Sequence, residues 1–248
     1  MKKRILSFVA ITTLAGCQAS STEETSELLI MAAASLSDAL EELKESYEEE
    51  TGVELTINYG ASGQLRQQIQ QGAPADLFLS ASTTDMEQVE EELIESTPLL
   101  ENQLVLITVP ELADEVQGLD QLVAVDYRHL AIGQPETVPA GRYAKQVLEN
   151  EDLWDEVEER IIYGKDVRQV LTYVETGNAD VGLVYATDAR NSADQVVEIT
   201  TAPAGSHDPI IYPLGLLEAS EEAEHFYQWL QQEEALTVFE QYGFQRGQ

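Results

Sequence analysis

The chain has 248 residues, 43% of them hydrophobic, and carries 13 basic against 46 acidic side chains, for a formal net charge of -33. It is long enough for one large domain or two lobes with a real core. So negative a field argues against a nucleic-acid partner and against docking on an anionic membrane through basic residues; it suits a solvated surface facing a salty or alkaline exterior.

The first elements are signals. Lys2, Lys3 and Arg4 precede a short apolar stretch, Ile5 to Leu14, too short to span a bilayer. Residues 1–16 therefore read as a secretory signal peptide. Leu14-Ala15-Gly16-Cys17 resembles the lipobox of bacterial lipoproteins, in which the cysteine is lipidated and becomes the new N-terminus; an ordinary signal with a free thiol is the alternative. Cys17 is the only cysteine, so a disulfide within the chain is excluded. Residues 17–27 are small, polar and acidic and read as a flexible tether. The working protein is then expected outside the cytoplasm, lipid-anchored on the outer face of the cell membrane.

The body alternates apolar runs with helical periodicity. Leu28–Ala32 predicts a strand, and Leu36, Ala39, Leu40, Leu43 and Tyr47 recur at helical spacing. Val53–Tyr59 alternates as a strand, a helix carries Leu65 and Ile69, and Asp76–Ser80 is a short buried strand. Thr84–Ile94 predicts an acidic helix, and Gln103–Val109 a strand closed by Pro110. The pattern then repeats. His129–Gly133, Arg160–Tyr163 and Asp180–Tyr185 predict strands, with helices over Ala140–Glu149 and Val167–Glu175 between them. Two helices, Glu221–Gln231 and Glu234–Tyr242, close the chain. This order predicts an α/β fold with mainly parallel sheets.

Four helix starts share one chemistry. In "AAASLSDAL", alanines surround Ser35 where a strand passes into a helix. Ser35 could be an N-cap with Asp38 as its box partner, or it could offer its N–H and hydroxyl to an anion. "YGASGQLRQQI" places Ser62 among Gly60, Ala61 and Gly63 in the same way. In "QPETVPAGRYAKQVL" the Ala140 N–H is left free, and in "YGKDVRQVL" Asp166 is a plausible N-cap with Val167 the first helical residue. First-turn N–H groups lack an intrahelical acceptor, and the helix dipole favours negative charge there. Four such junctions suit either ordinary caps or one shared anion site.

The stretches "AAASLSDAL", "GASGQLRQQIQQGAPADLFLSAS", "QPETVPAGRYAKQVL", "KDVRQVLTYVETGNADVGLVYATDA" and "FEQYGF" resemble the periplasmic molybdate-binding proteins of bacterial ABC importers. The resemblance runs from about Leu28 to the end, with motif order and spacing in agreement. It implies a type II periplasmic-binding-protein fold: two α/β lobes across a ligand cleft, joined by two crossing strands, near Gln103–Val109 and Ile211–Leu217. Lobe 1 is expected over residues 28–106 plus 211–248, and lobe 2 over 107–210. It further implies that Ser35 and Ser62 donate N–H and hydroxyl, that Ala140 and Val167 donate backbone N–H, and that Tyr185 donates its phenol. The pattern holds at all five positions.

The resemblance implies a binding protein rather than an enzyme, with molybdate or tungstate as ligand and an ABC permease and its ATPase as partners; no cofactor is expected, and a monomer is. Sulfate, of the same charge and shape as molybdate, is the alternative ligand. An enzyme on this fold is the remoter reading. The three histidines, His129, His207 and His225, form no metal-ligand spacing, no nucleophile elbow or phosphate loop is present, and no metal is expected. Arg142 and Arg168, beside two of the junctions, are read as pointing outward to surface acids.

Overall fold

The computed structural model describes residues 26–247. The signal segment, Cys17 and the tether up to residue 25 lie outside the described residues. The first half of the chain forms β1 (Glu27–Ala33), α1 (Ser37–Thr51), β2 (Glu54–Gly60), α2 (Ser62–Gln70), β3 (Leu77–Leu79), α3 (Thr83–Glu87), β4 (Glu95–Glu101) and β5 (Leu104–Thr108). The second half adds β6 (Leu130–Gly133), α4 (Pro139–Asn150), α5 (Trp154–Val157), β7 (Ile161–Gly164), α6 (Val167–Glu175), β8 (Val181–Tyr185), α7 (Ala186–Asn191) and β9 (Val197–Thr201). Then come β10 (Ile211–Leu216), α8 (Glu221–Trp229), α9 (Glu233–Gln241) and β11 (Gln245–Arg246).

Two sheets result, each the centre of one lobe. The first has strand order β11-β4-β10-β3-β1-β2 and the second β7-β6-β8-β5-β9. Burial explains the central strands. In β1, Leu28, Ile30 and Ala32 enter one apolar cluster while Met31 enters another with Phe78, Leu65 and Ile69, so both faces are covered. All five residues of β5 and all five of β8 are buried, as expected of continuous apolar runs in mid-sheet. Edge strand β2 instead alternates buried Leu55 with exposed neighbours.

The sheets are mixed, which corrects the expectation of mainly parallel ones. β1 pairs in parallel with β2 and β3, and β6 with β7 and β8. The strands that enter from the other lobe run the opposite way: β10 is antiparallel to β3 and β4, and β5 to β8 and β9. β4 leads into β5, and β9 into β10, so the two crossing runs lie side by side. Ile211 pairs with Glu101 on one side of the change of sheet and Thr201 with Val105 on the other. Between them Asn102 N–H donates to Ile210 C=O at 3.0 Å and Ala202 N–H to Leu104 C=O at 2.8 Å. β5 pairs with β8 along its whole length, from Leu104 to Thr108. A division after Leu106 thus falls inside a strand of the second sheet, and the chain changes sheet at Asn102–Gln103.

The acidic helix predicted over Thr84–Ile94 ends at Glu87, and only a 3-10 turn, Glu90–Glu92, follows. Glu87 and Glu91 would stand one turn apart as like charges. Ile94 N–H instead bonds Leu216 C=O at 2.8 Å and starts β4 beside β10. β4 itself escaped prediction because Pro98 and, opposite it, Pro213 both lack a ladder donor; the register shifts there. β9, β11 and α7 were also not anticipated.

Candidate functional site

β1 ends at Ala33 and the chain passes through one 3-10 turn, Ala34–Leu36, into α1. No side chain caps either start, so Ser35 and Asp38 do not form a capping box. The Ser35 hydroxyl lies 2.8 Å from the Tyr212 hydroxyl instead. Asn102 Nδ2 donates to Tyr212 Oη at 3.3 Å and to Thr187 Oγ1 at 3.0 Å, while its Oδ1 accepts from Gln103 N–H. An amide nitrogen only donates, so Tyr212 accepts from Asn102, while in the Ser35–Tyr212 pair either hydroxyl can be the donor.

Ser62 is the first residue of α2. Its Oγ accepts from Ala81 N–H at 2.9 Å, which leaves its hydrogen spare. In α4, Val138 stands at the N-cap without a side-chain bond and Pro139 opens the helix, so Ala140 presents a first-turn N–H. α4 meets β6 through two glycines: a Cβ on Gly141 would lie 2.0 Å from Gly133 O. Asp166 caps α6 as expected, its Oδ1 accepting from Gln169 N–H at 2.8 Å, so the Val167 N–H at the first position stays without an intrahelical partner.

The structure brings all five expected residues to one cavity. Ala33 to Ser35, Gly60 to Ser62 and Ala81 line it from the first lobe; Val138 to Ala140, Asp166, Val167 and Tyr185 line it from the second. Its volume is about 10 Å³, room for one small group and far below the ~300–1,000 Å³ of organic-ligand clefts. Ser35, Ser62, Ala140, Val167 and Tyr185 are all buried. The lobes are closed over it: Gly63 N–H donates to Thr137 C=O of the other lobe at 3.0 Å. Tyr185 ends β8 and is 1% exposed, and its hydroxyl has no hydrogen-bond partner among the described residues. Its ring meets that of Tyr212 edge-on, with centroids 5.7 Å apart. Burial pushes the pKa of both phenols well above 10, so both remain protonated donors. Neutral donors from two lobes converge here, an arrangement that can hold a small anion by hydrogen bonds alone.

Behind Tyr185, on the first turn of α7, Asp188 is 1% exposed and neither carboxylate oxygen makes a side-chain hydrogen bond. Burial raises its pKa to about 7 against the pull of Arg168, whose Nη1 is 3.4 Å away. The folded protein thus holds a proton that the unfolded chain has released, and this stabilisation is complete below the unfolded value, 3.8, and lost as pH rises through about 7. The ligand-free melting temperature should therefore fall from about pH 4 to 7 and level off above that, and Asp188→Asn should flatten that fall. Melting curves across this range check it; an equal decline in both proteins would refute it.

Arg142 does not point to a surface acid, and the partly exposed acid that Arg168 reaches lies across the cleft. Arg142 reaches Ser82 Oγ at 3.1 Å and Asp85 Oδ2 at 3.2 Å in the first lobe, and Asp85 is 1% exposed. Arg168 bonds Asp38 and Ser37 of the first lobe and faces Asp188 in its own. Sequence reasoning also missed Tyr212, Asn102 and Ala81, which orient the two serines. Tyr212 sits in an apolar strand run that carries no local sign of a site.

YvgL of Bacillus subtilis, described as a candidate substrate-binding lipoprotein of an ABC transporter, is 44% identical over 97% of this chain and 96% of its own. The molybdate-binding protein ModA of Haemophilus influenzae is 36% identical over 89% of this chain and 90% of its own. The solved periplasmic molybdate-binding protein of Azotobacter vinelandii superposes with a TM-score of 0.79 at 27% identity, covering 89% of this chain and 100% of that one. The sequence pattern of the bacterial extracellular solute-binding proteins matches residues 28–245, and with it the chain belongs to that family.

Proposed function

We propose that this protein captures molybdate, and tungstate with it, outside the cytoplasm and delivers it to an ABC permease driven by its ATPase. The observation that carries the reading is the Tyr185 hydroxyl, a buried donor without a partner among the described residues that lines one cavity with two serine hydroxyls and the first-turn N–H groups of four helical starts. Ser35, Ser62, Ala140, Val167 and Tyr185 would hold the anion. A fully deprotonated tetrahedral ion offers only acceptors and suits this set; a protonated one, such as hydrogen phosphate, brings a donor against donors. Relatives named for molybdate binding support the choice of ion. Sulfate is the second reading, since it differs from molybdate chiefly in size.

The lobes in this reading follow the sheets: residues 28–102 with 211–248, and residues 103–210. The protein acts as a monomer, without catalysis, and Cys17 carries the lipid anchor; the description of YvgL as a lipoprotein supports the anchor.

Calorimetry of molybdate, tungstate, sulfate and phosphate tests the reading. Tight one-to-one binding of the first two alone is expected, and a preference for sulfate would overturn it. Tyr185→Phe sharpens the test because its two effects have opposite signs. Loss of one hydrogen bond to a charged ligand, about 1.5–3 kcal/mol, should weaken binding by roughly 10- to 100-fold. The ligand-free protein should melt at the same temperature or higher, because a buried hydroxyl without a partner has been removed. A lower melting temperature with unchanged affinity would make Tyr185 a plain core residue.

A further inference from the structure

Arg142 and Arg168 each follow a helix-start donor, Ala140 and Val167, closely enough to be taken for anion ligands. Their guanidinium groups are committed elsewhere, and in both cases across the cleft. Arg142, on α4 of the second lobe, donates to Ser82 Oγ at 3.1 Å and to Asp85 Oδ2 at 3.2 Å in the first lobe. Arg168, on α6 of the second lobe, donates to Asp38 and, at 3.2 Å, to Ser37 Oγ on α1 of the first. Asn191 of α7 adds a second cross-cleft bond to Asp38 Oδ2, at 2.8 Å.

Each bridge has a second arm that stays within one lobe. Asp85 is buried, and its other oxygen accepts from Arg66 Nε of α2, also in the first lobe, at 3.1 Å. Arg168 faces the buried Asp188 of its own lobe at 3.4 Å. When the lobes part, Asp85 keeps Arg66 and Arg168 keeps Asp188. Neither buried acid is stranded without a cation, which is the usual large cost of breaking a buried pair. The bridges can therefore open and re-form.

We propose that Arg142 and Arg168 are positioning residues that hold the two lobes shut over the anion, through Asp85 and Asp38, without touching it. The inference rests on the anion-binding reading. The closed state gains the cross-cleft bonds and the open state loses only those, so the pairs shift the closure equilibrium in favour of retention.

The test uses the full-length protein and two readouts, because one of them needs no ligand. The Gly63 N–H, in the first turn of α2 and so without an intrahelical acceptor, is bonded only across the cleft, to Thr137 C=O at 3.0 Å. Its hydrogen exchange therefore reports opening. Asp38→Asn and Arg142→Gln should each speed molybdate release about 5- to 10-fold and accelerate Gly63 exchange in the absence of molybdate, with Arg142→Lys retaining part of the parent behaviour. Unchanged release and unchanged exchange in both variants would overturn the proposal. Tighter molybdate binding in Asp38→Asn would also overturn it, because Arg168 would then be an anion ligand that Asp38 holds back. If the parent protein fails to bind molybdate, the functional reading falls, and Gly63 exchange in the variants alone decides whether the pairs hold the lobes together.

Discussion

Gly63→Val is expected to weaken molybdate binding by roughly 100-fold or more while leaving the ligand-free protein folded. A Cβ at this position would stand 2.6 Å from Thr137 O and 2.9 Å from Thr137 Cα, both backbone atoms of the opposite lobe. Neither can turn aside as a side chain would. Overpacking of this kind costs about 1–3 kcal/mol and sometimes more, and tenfold in affinity corresponds to about 1.4 kcal/mol. The strain exists only when the lobes meet, so the open form escapes it. Gly63→Ala separates closure from folding further. It stands in the first turn of α2, where alanine is the better helix former by roughly 0.5–1 kcal/mol. The alanine variant should thus melt no lower than the parent and still bind less tightly. Calorimetry with thermal melts measures both quantities. Parent-like affinity in the valine variant would mean that the lobes do not approach this closely when the anion is held.

Gly141→Ala should act on the fold itself. The added Cβ would lie 2.0 Å from Gly133 O and 2.4 Å from Gly133 C, within one lobe. Opening the cleft offers no relief; α4 must move away from the end of β6. A destabilisation of about 3 kcal/mol or more follows, which for a protein of this size lowers the melting temperature by roughly 6–12 °C. The same shift displaces the Ala140 N–H from the cavity, so binding should be weak even where the variant is folded. A melting temperature within a degree or two of the parent would show that α4 can slide without loss. The pair of glycines is thus two different devices: Gly63 permits closure, and Gly141 permits one helix start to reach the cavity.

Both the fold class and the helix starts were legible in the sequence because their causes are local. Strand and helix periods are written in neighbouring residues, and small residues beside a serine, a proline or an aspartate mark where a helix begins. Ser35, Ser62, Ala140 and Val167 were found in this way, Tyr185 entered through the family resemblance, and all five line one cavity. What those residues do with their hydrogens was not local. Ser35 is oriented by Tyr212, 177 positions away, and Tyr212 by Asn102, 110 positions away. Arg142 and Arg168 find acids 57 and 130 positions distant, where a helix-surface reading had turned them outward. β4 was hidden because Pro98 and Pro213 remove ladder donors, and only the pairing of β4 with β10 reveals it as a crossing strand. A sequence pattern can specify which groups lack a partner inside their own element. Which partner they take is decided by the pairing of two crossing strands and the closure of two lobes, contacts between residues far apart in the chain that no local period encodes.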